Sequence, residues 1–432
     1  MHMLRSWVLL TIAMTGCGDN SEEKPVDESC PDGDPTIHVP EGFCATIFAD
    51  GLFRPRQLTV SSAGDVFVAL GNSRDGLVKG HVVALRDADG DGTADDRAEF
   101  GDAGGTGVLW RDDTLYFAED DRVIRWSAPA GTLTPTESPA VVVGGLPKTG
   151  DHAAKAIQML GDGRLLVVVG SETNACQPTN RTPGTPGIDP CPELAVRAGV
   201  WSFDPTRTDQ TQADGSLFAT GVRNATSFAV HPTSGLVVTA NNGRDQLHEF
   251  WPTLFSAEDD KVYPSEELAV LTPGTDRGWP YCYHDPIVDQ MKLAPEYGGD
   301  RVAQGRCAAI PSPMLALPAH WASLGMTFYT GDQFPEAYRG GAFLSFHGSR
   351  FDPLADDEVP GYSVGFISFD GDTARSWDQF ATGFAGDDRP LPDGADHRPV
   401  GVATSPAGDL YITDDQGGRV WRIRYQGLKA GD

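Results

Sequence analysis

The sequence has little positive charge, and it lacks the devices that mark the commoner haem and zinc sites. Its 33 Lys and Arg stand against 61 Asp and Glu, a formal net charge of −28. No basic stripe exists to neutralise phosphates, which excludes a nucleic-acid partner. The same balance gives no general attraction for small anions, so any anion site must be built locally. It suits a soluble, extracytoplasmic chain. There are seven cysteines, but no CxxCH for a covalent haem and no CxxC zinc pattern. His320, His347 and His397 are scattered and lack metal spacing such as HxxxH. Long helical patterns are absent. WVLLTIAM (7–14) is too short to span a bilayer as a mature helix, and no other stretch could span one.

The amino-terminal run is instead an export signal over 1–16. Arg5 supplies its positive end and WVLLTIAM its short apolar core. Met14-Thr15-Gly16-Cys17 resembles a lipobox, with Cys17 as the lipidated first residue of the mature protein. An ordinary signal peptide cleaved nearby is the alternative. Residues 17–35 then form a polar, acidic tether, and the chain is expected at a membrane facing the periplasm or the cell surface. Cys30, Cys44, Cys176, Cys191, Cys282 and Cys307 remain. An even number in an exported chain points to disulfides. Pairing of sequence neighbours, which closes the shortest loops, gives Cys30–Cys44, Cys176–Cys191 and Cys282–Cys307.

What is abundant is glycine, 51 residues, and proline, 32, set between short alternating runs. QLTVSSAGDVFVAL (57–70), GVLWRDDTLYFAEDDRVIRWS (107–127), AIQMLGDGRLLVVVG (156–170), SFAVHPTSGLVVTA (227–240) and GVATSPAGDLYITDD (401–415) each read as an antiparallel hairpin. The unit recurs about every 50–70 residues, as propeller blades do. The fold class is therefore all-β, a six-bladed β-propeller over 36–428. Loops rich in Thr, Pro and Cys (172–199) and a longer irregular region (247–315) are expected to shape a binding mouth.

Three polar constellations lead into these hairpins. Asp151-His152 precedes RLLVVVGSETN (164–174), Arg223-Asn224 precedes TSFAVHPTSGLVVTANNGRD (226–245), and Arg398 precedes GVATSPAGDLYITDD. An imidazole oriented by a carboxylate takes a proton from a hydroxyl. Arg223 and Asn224 offer a guanidinium fork and an amide to a carboxylate or quinone oxygen. Asp87, Asp89, Asp91, Gly92 and Asp95 follow the first nine positions of an EF-hand loop, but position 12 is Ala98 rather than Glu. A structural calcium in a hairpin turn is the expectation, with a merely acidic turn as the alternative. Trp279, Tyr281 and Tyr283 suit either stacking on a planar ligand or loop packing.

Together these segments resemble the glucose/sorbosone dehydrogenase family, soluble six-bladed propellers that use pyrroloquinoline quinone (PQQ). The resemblance is carried by 150–176, 218–247, GWPYCY (278–283), 317–349 and HRPVGVATSPAGDLYITDD (397–415). The GS-x-x-N-x-C, GWPYCY and FxxxFHGS pieces are nearer the L-sorbosone dehydrogenase branch. The resemblance implies His152 as catalytic base with Asp151 its acidic neighbour. It implies Arg223, Asn224, His347 and Arg398 as cofactor ligands, and backbone carbonyls of Gly243 and Arg244 on a Ca2+ beside the PQQ. It further implies a sugar or aldehyde substrate and an external electron acceptor. Three features depart from the glucose branch: Ser171 stands where an Asp orients the base, His347 where a lysine binds the cofactor, and the glutamine that branch contributes near the quinone has no counterpart in AGGTGVL (103–109). Two other readings stand beside this one. One is a non-catalytic propeller that binds a sugar or another partner. The other is a calcium-dependent lactonase-type hydrolase built on Asn241, Asn242 and Asp245.

Overall fold

Runs such as VFVAL, LLVVV, AFLSF and LYITD lack the polar alternation of a half-solvated strand. They form strands buried on both faces, at Val66–Leu70, Leu165–Val169, Ala342–Phe346 and Leu410–Asp414. Each is the second strand of a blade and lies between neighbouring sheets. The computed structural model describes residues 30–351, 359–386 and 394–428. The signal, Cys17 and the tether as far as residue 29 lie outside the described residues.

Six sheets follow one another, each built on four antiparallel strands; blades 2 and 3 each carry a short fifth strand added in parallel, Gln210–Thr211 and Thr275–Asp276. Blade 1 comprises Pro55–Val60, Val66–Leu70, Val82–Arg86 and Asp96–Phe100. Blade 2 comprises Gly105–Arg111, Thr114–Glu119, Val123–Ser127 and Ala140–Gly144. Blade 3 comprises Ile157–Met159, Leu165–Val169, Gly199–Phe203 and Ser216–Thr220. Blade 4 comprises Ser227–Val230, Val237–Asn241, Glu266–Leu271 and Leu315–Leu317. Blade 5 comprises Ser323–Phe328, Ala342–Phe346, Ser363–Asp370 and Thr373–Ala381. Blade 6 comprises Pro399–Thr404, Leu410–Asp414 and Val420–Tyr425, and its fourth strand is the amino-terminal Phe43–Ala49. The ring is thus closed by pairing the two ends of the domain, which leaves no open edge between first and last blade. First strands pack neighbour to neighbour around a central channel.

The fourth strands were the hardest to read in the sequence. Asp96–Phe100 is largely exposed and Thr373–Ala381 half-exposed, so their apolar signal is weak.

All three disulfides join the expected cysteines: Cys30–Cys44, Cys176–Cys191 and Cys282–Cys307. The first ties residue 30 to the strand that closes the ring. Asp34 adds to this anchor by accepting the Trp421 indole N–H at 3.0 Å. We expect Cys30→Ser/Cys44→Ser to lose about 3 kcal/mol in chemical denaturation, the cross-link entropy of a loop this short.

Alternating strand direction sorts the loops. Links between second and third strands, and between one blade and the next, lie on one face. Links between first and second strands, and between third and fourth, lie on the other. The mouth residues below sit on the first kind of loop or, like Arg56 and Glu266, at the strand end that adjoins it.

Candidate functional site

His152 lies on the link into blade 3 and is buried. Its Nδ1 is 2.8 Å from Ser171 Oγ and 3.2 Å from Ser171 O. The Ser171 hydroxyl spends its proton on Thr173 O at 2.7 Å. Both groups facing Nδ1 therefore accept, so Nδ1 carries the hydrogen and Nε2 the lone pair. Nε2 has no hydrogen bond among the described residues and is not sealed from solvent. Burial, then the Arg223 charge, holds the imidazole pKa well below its usual 6.5, against the pull of Asp245 and the Ser171 backbone. The lowered pKa favours the neutral ring, with Nε2 free to accept a proton. Orientation falls to Ser171 rather than to the expected carboxylate. Asp151 instead faces Arg181 at 2.9 Å and Asn180 at 3.1 Å. Ser171→Asp places a carboxylate against Nδ1–H and favours imidazolium. We expect the His152 pKa to rise by about one pH unit or more, read by NMR titration.

Arg223, on the link into blade 4, is buried at the centre of a network. It donates to Gly243 O at 2.7 Å, Asn174 Oδ1 at 2.8 Å, Asn174 O at 3.3 Å and Asp245 Oδ2 at 3.3 Å. Asp245 also meets Arg181 at 3.2 Å and His320 at 3.6 Å. Burial works to raise the Asp245 pKa, but Arg223, His320 and Arg181 outweigh it and hold it well below the usual carboxylate range. The sequence assigned no role to Asn174 or Arg181, because single polar residues on long loops carry no spacing signal; it read Asp245 only as part of the Asn241–Asn242–Asp245 trio and His320 only as a histidine without metal spacing.

Across the mouth, His347 and Arg398 meet. Arg398 Nε donates to the His347 carbonyl at 3.0 Å. Its two Nη groups make no hydrogen bond among the described residues and are not sealed from solvent. His347 Nε2 lies 2.7 Å from Asp415, whose other oxygen takes Arg56 Nη1 at 2.5 Å. Burial, then Arg398 and Arg56, lowers the His347 pKa although Asp415 opposes it. Arg54 and Arg74 are close enough to perturb their neighbours: Arg56 and Arg74 depress Arg54, and Arg74 and Arg56 depress Arg398. Arg54, Arg56 and Arg398 thus lie within electrostatic reach of the Asp415 carboxylate, with Arg74 near Arg54 and Arg398, in a chain of net charge −28.

Asn224 presents a half-buried side-chain amide with no partner among the described residues, while its backbone bonds Asn241 and Asn242. The Gly243 N–H donates to Glu266 at 2.8 Å, and its carbonyl accepts Arg223. Burial pushes the Glu266 carboxyl up to about 7, against His320 and two backbone N–H groups. Arg244 turns its side chain away to pair with Glu296. Its carbonyl takes no backbone hydrogen bond among the described residues.

Other expected groups fall elsewhere. Asp87, Asp89 and Asp95 bring oxygens within 4.8 Å of one another, but Asp91 stands apart, its carboxylate accepting the Thr93 N–H at 2.8 Å. Their loop links third and fourth strands, so it lies on the face opposite the mouth. Asp87 is also claimed by Arg422 at 3.0 Å. Trp279 and Tyr283 line a small cavity with Arg223, Gly243 and Arg244, and all three aromatics also pack into the surrounding loops. Trp279 bonds Asn174 O, Tyr281 is edge-on to Tyr297, and Tyr283 is edge-on to Phe255. The trio Asn241, Asn242 and Asp245 forms no metal cage: Asn242 is bonded to Ser323 and Asp245 is ringed by cations. That removes the ground for the lactonase-type reading.

The comparisons agree with this architecture. A curated protein of Borreliella burgdorferi is 32% identical over 215 residues and is described only as uncharacterized; the match covers 49% of each chain. The chain thus spans about half the length of that relative. Among solved structures, a Trichoderma reesei Carbohydrate-Active Enzymes Family AA12 protein superposes with TM-score 0.72 at 20% identity, over 90% of this chain and 98% of that one. The holo PQQ domain of pyranose dehydrogenase from Coprinopsis cinerea gives 0.69 at 18%, covering 91% and 99%. A PQQ-bound aldose sugar dehydrogenase of Streptomyces coelicolor gives 0.53 at 14%, covering 90% and 99%. At these identities the structures share the fold. A family model described as TrAA12-like matches residues 37–426, and the chain belongs to that family.

Proposed function

We propose that the mouth oxidises a sugar, an aldose or sorbosone-type substrate, with PQQ and Ca2+, and that His152 is the base. The observation that carries this reading is the His152 tautomer. A neutral imidazole with its lone pair on an unpartnered Nε2 lies within the electrostatic reach of Arg223 and Arg181. The residues present fit a polycarboxylate. The Nη groups of Arg398 and the Asn224 amide, without hydrogen-bond partners among the described residues, and the arginines near Asp415 answer anionic oxygens, in a protein otherwise too acidic to attract them. The carbonyls of Gly243 and Arg244 are oxygen donors of the kind Ca2+ takes. When bound, the quinone accepts a hydride and the calcium acts as a Lewis acid.

The chain's own part is narrower. His152 Nε2 receives the substrate hydroxyl proton, and Nδ1–H on Ser171 keeps the ring from turning. Arg223, itself held by Asn174, Gly243 and Asp245, keeps its charge beside that ring. Arg398 and Asn224 orient anionic oxygens. Electrons leave to an external acceptor. Export and a lipid on Cys17, with the protein facing the periplasm or cell surface, complete the proposal. Pyranose and aldose dehydrogenases among the structural relatives support the sugar class.

The test is reconstitution of the signal-free protein with PQQ and Ca2+. Dye reduction is followed with aldoses, sorbosone and simple aldehydes, and binding by calorimetry. Substrate-dependent, PQQ-dependent reduction is expected. Absence of both PQQ binding and dye reduction leaves the non-catalytic sugar-binding propeller.

A further inference from the structure

Lys155 is only 1% exposed. Its ammonium has no ion-pair partner among the described residues. It donates to two backbone carbonyls, Pro147 O at 2.6 Å and Ala153 O. A buried cation without a carboxylate is expensive to keep. Burial, then Arg197, brings the amine down to about 8, with Asp120 and Asp121 opposing. Such a group adds nothing a buried Met could not supply in packing, so its use lies in the two carbonyls it joins.

Those carbonyls flank the base. Pro147 and Ala153 bracket the loop that carries Asp151-His152. The middle of the same loop is gripped by a second buried cation, Arg197. It donates to Thr149 O at 2.8 Å and Thr149 Oγ1 at 3.1 Å, and lies 3.5 Å from Glu172. Asp151 N–H bonds Glu172 O at 2.8 Å. Gly150, at φ +92°, presses so close that a Cβ there would fall 2.6 Å from Glu172 Cα. Each contact fixes backbone, and together they leave the imidazole one place to stand, on Ser171.

We propose that Lys155, assisted by Arg197, is a positioning residue for His152, clasping the loop on both sides of the base so that Nδ1–H stays on Ser171. This rests on the reading of His152 as the base, but the clasp itself is testable on the protein alone. Arg223, Asp245 and Arg181 act on the ring, and Arg197, Asp120 and Asp121 on Lys155. The clasp is the only one of these influences that Lys155→Met removes.

The experiment is NMR titration of the labelled histidines in wild type, Lys155→Met and Lys155→Arg, with His152 assigned by its loss in His152→Gln. In Lys155→Met the ring is expected to mix tautomers and its pKa to return towards the usual 6.5, as the released loop exposes it. Lys155→Arg restores most of the wild-type spectrum. In PQQ-loaded protein, Lys155→Met is expected to cut kcat up to about 10²-fold with little change in KM, the cost of a base displaced by about an ångström. Arg197→Lys is the second variant, should Lys155→Met fail to fold, and is expected to shift the ring signals in the same direction. A Lys155→Met spectrum that superimposes on wild type overturns the proposal, as does a changed melting temperature with unchanged ring signals. A protein that neither binds PQQ nor reduces dye overturns the proposed function and leaves the titration result standing.

Discussion

Replacement of His152 by Ala is expected to lower kcat by about 10²–10⁴-fold, the range general-base groups contribute, with PQQ affinity nearly unchanged. The ring makes its hydrogen bonds to Ser171 and none to the residues that would hold the cofactor. The pH profile follows from the direction of its pKa. A base must be neutral, and a depressed pKa keeps His152 neutral below the usual 6.5. The wild-type rate should stay on its plateau as pH falls through 6.5, where an exposed imidazole would already lose activity. Stability moves the other way. Between the lowered folded pKa and 6.5 the unfolded chain takes a proton that the native ring refuses, so stability falls as pH falls. Thermal melts from pH 7 to 5 should therefore decline more steeply for wild type than for His152→Ala. Steady-state kinetics on PQQ-loaded protein and the paired melts check both halves. Full activity in the variant would remove His152 from the chemistry.

The second large effect is expected at Arg223. Arg223→Met removes the charge that answers Asp245 and the donors to Gly243 O and both Asn174 oxygens. A buried carboxylate stripped of its main partner costs about 3–5 kcal/mol, read as a shift in the urea unfolding midpoint. Arg181 and His320 remain beside Asp245, so the lower end of that range is expected. The sign with pH is that of a depressed carboxylate. The stability Asp245 contributes is complete above the unfolded value near 3.9 and is lost as pH falls towards its folded one. Loss of Arg223 also removes a charge that depresses His152, so that pKa should rise. A destabilisation below about 1 kcal/mol would mean that the network behaves as a surface pair.

The blades were legible where burial and strand direction leave a periodic mark. The hairpins showed through their alternation and glycine turns, whereas the structure shows second strands such as Val66–Leu70 and Leu165–Val169 to be apolar throughout because both their faces are covered. The outer strands Asp96–Phe100 and Thr373–Ala381 did not show in the sequence, since half their residues meet solvent. The fourth strand of blade 6 was missed for another reason. Phe43–Ala49 pairs with Val420–Tyr425 across nearly the whole chain, and no local pattern encodes a partner so distant. His152, Arg223, Asn224, His347 and Arg398 stood out because each sits beside a strand whose register is plain. Ser171 in place of a carboxylate showed only through the resemblance, and the other supports did not show at all: Asp415 under Arg56 and His347, and the Lys155 and Arg197 clasp.

By itself, then, the sequence determined a repeated β-hairpin chain with three local cross-links, too acidic for any anion site that is not assembled on purpose. Period-two alternation, glycine turns, charge balance and short-range cysteine pairs are local properties that need no fold to be read. Only the tertiary structure decided which protons and charges face one another. The imidazole tautomer depends on what Ser171 does with its own hydrogen. The His152 pKa depends on burial and on an arginine 71 positions away across a blade boundary. The calcium-type loop at 87–95 and the mouth, alike on paper as clusters of polar side chains, are separated by strand direction onto opposite faces of the ring.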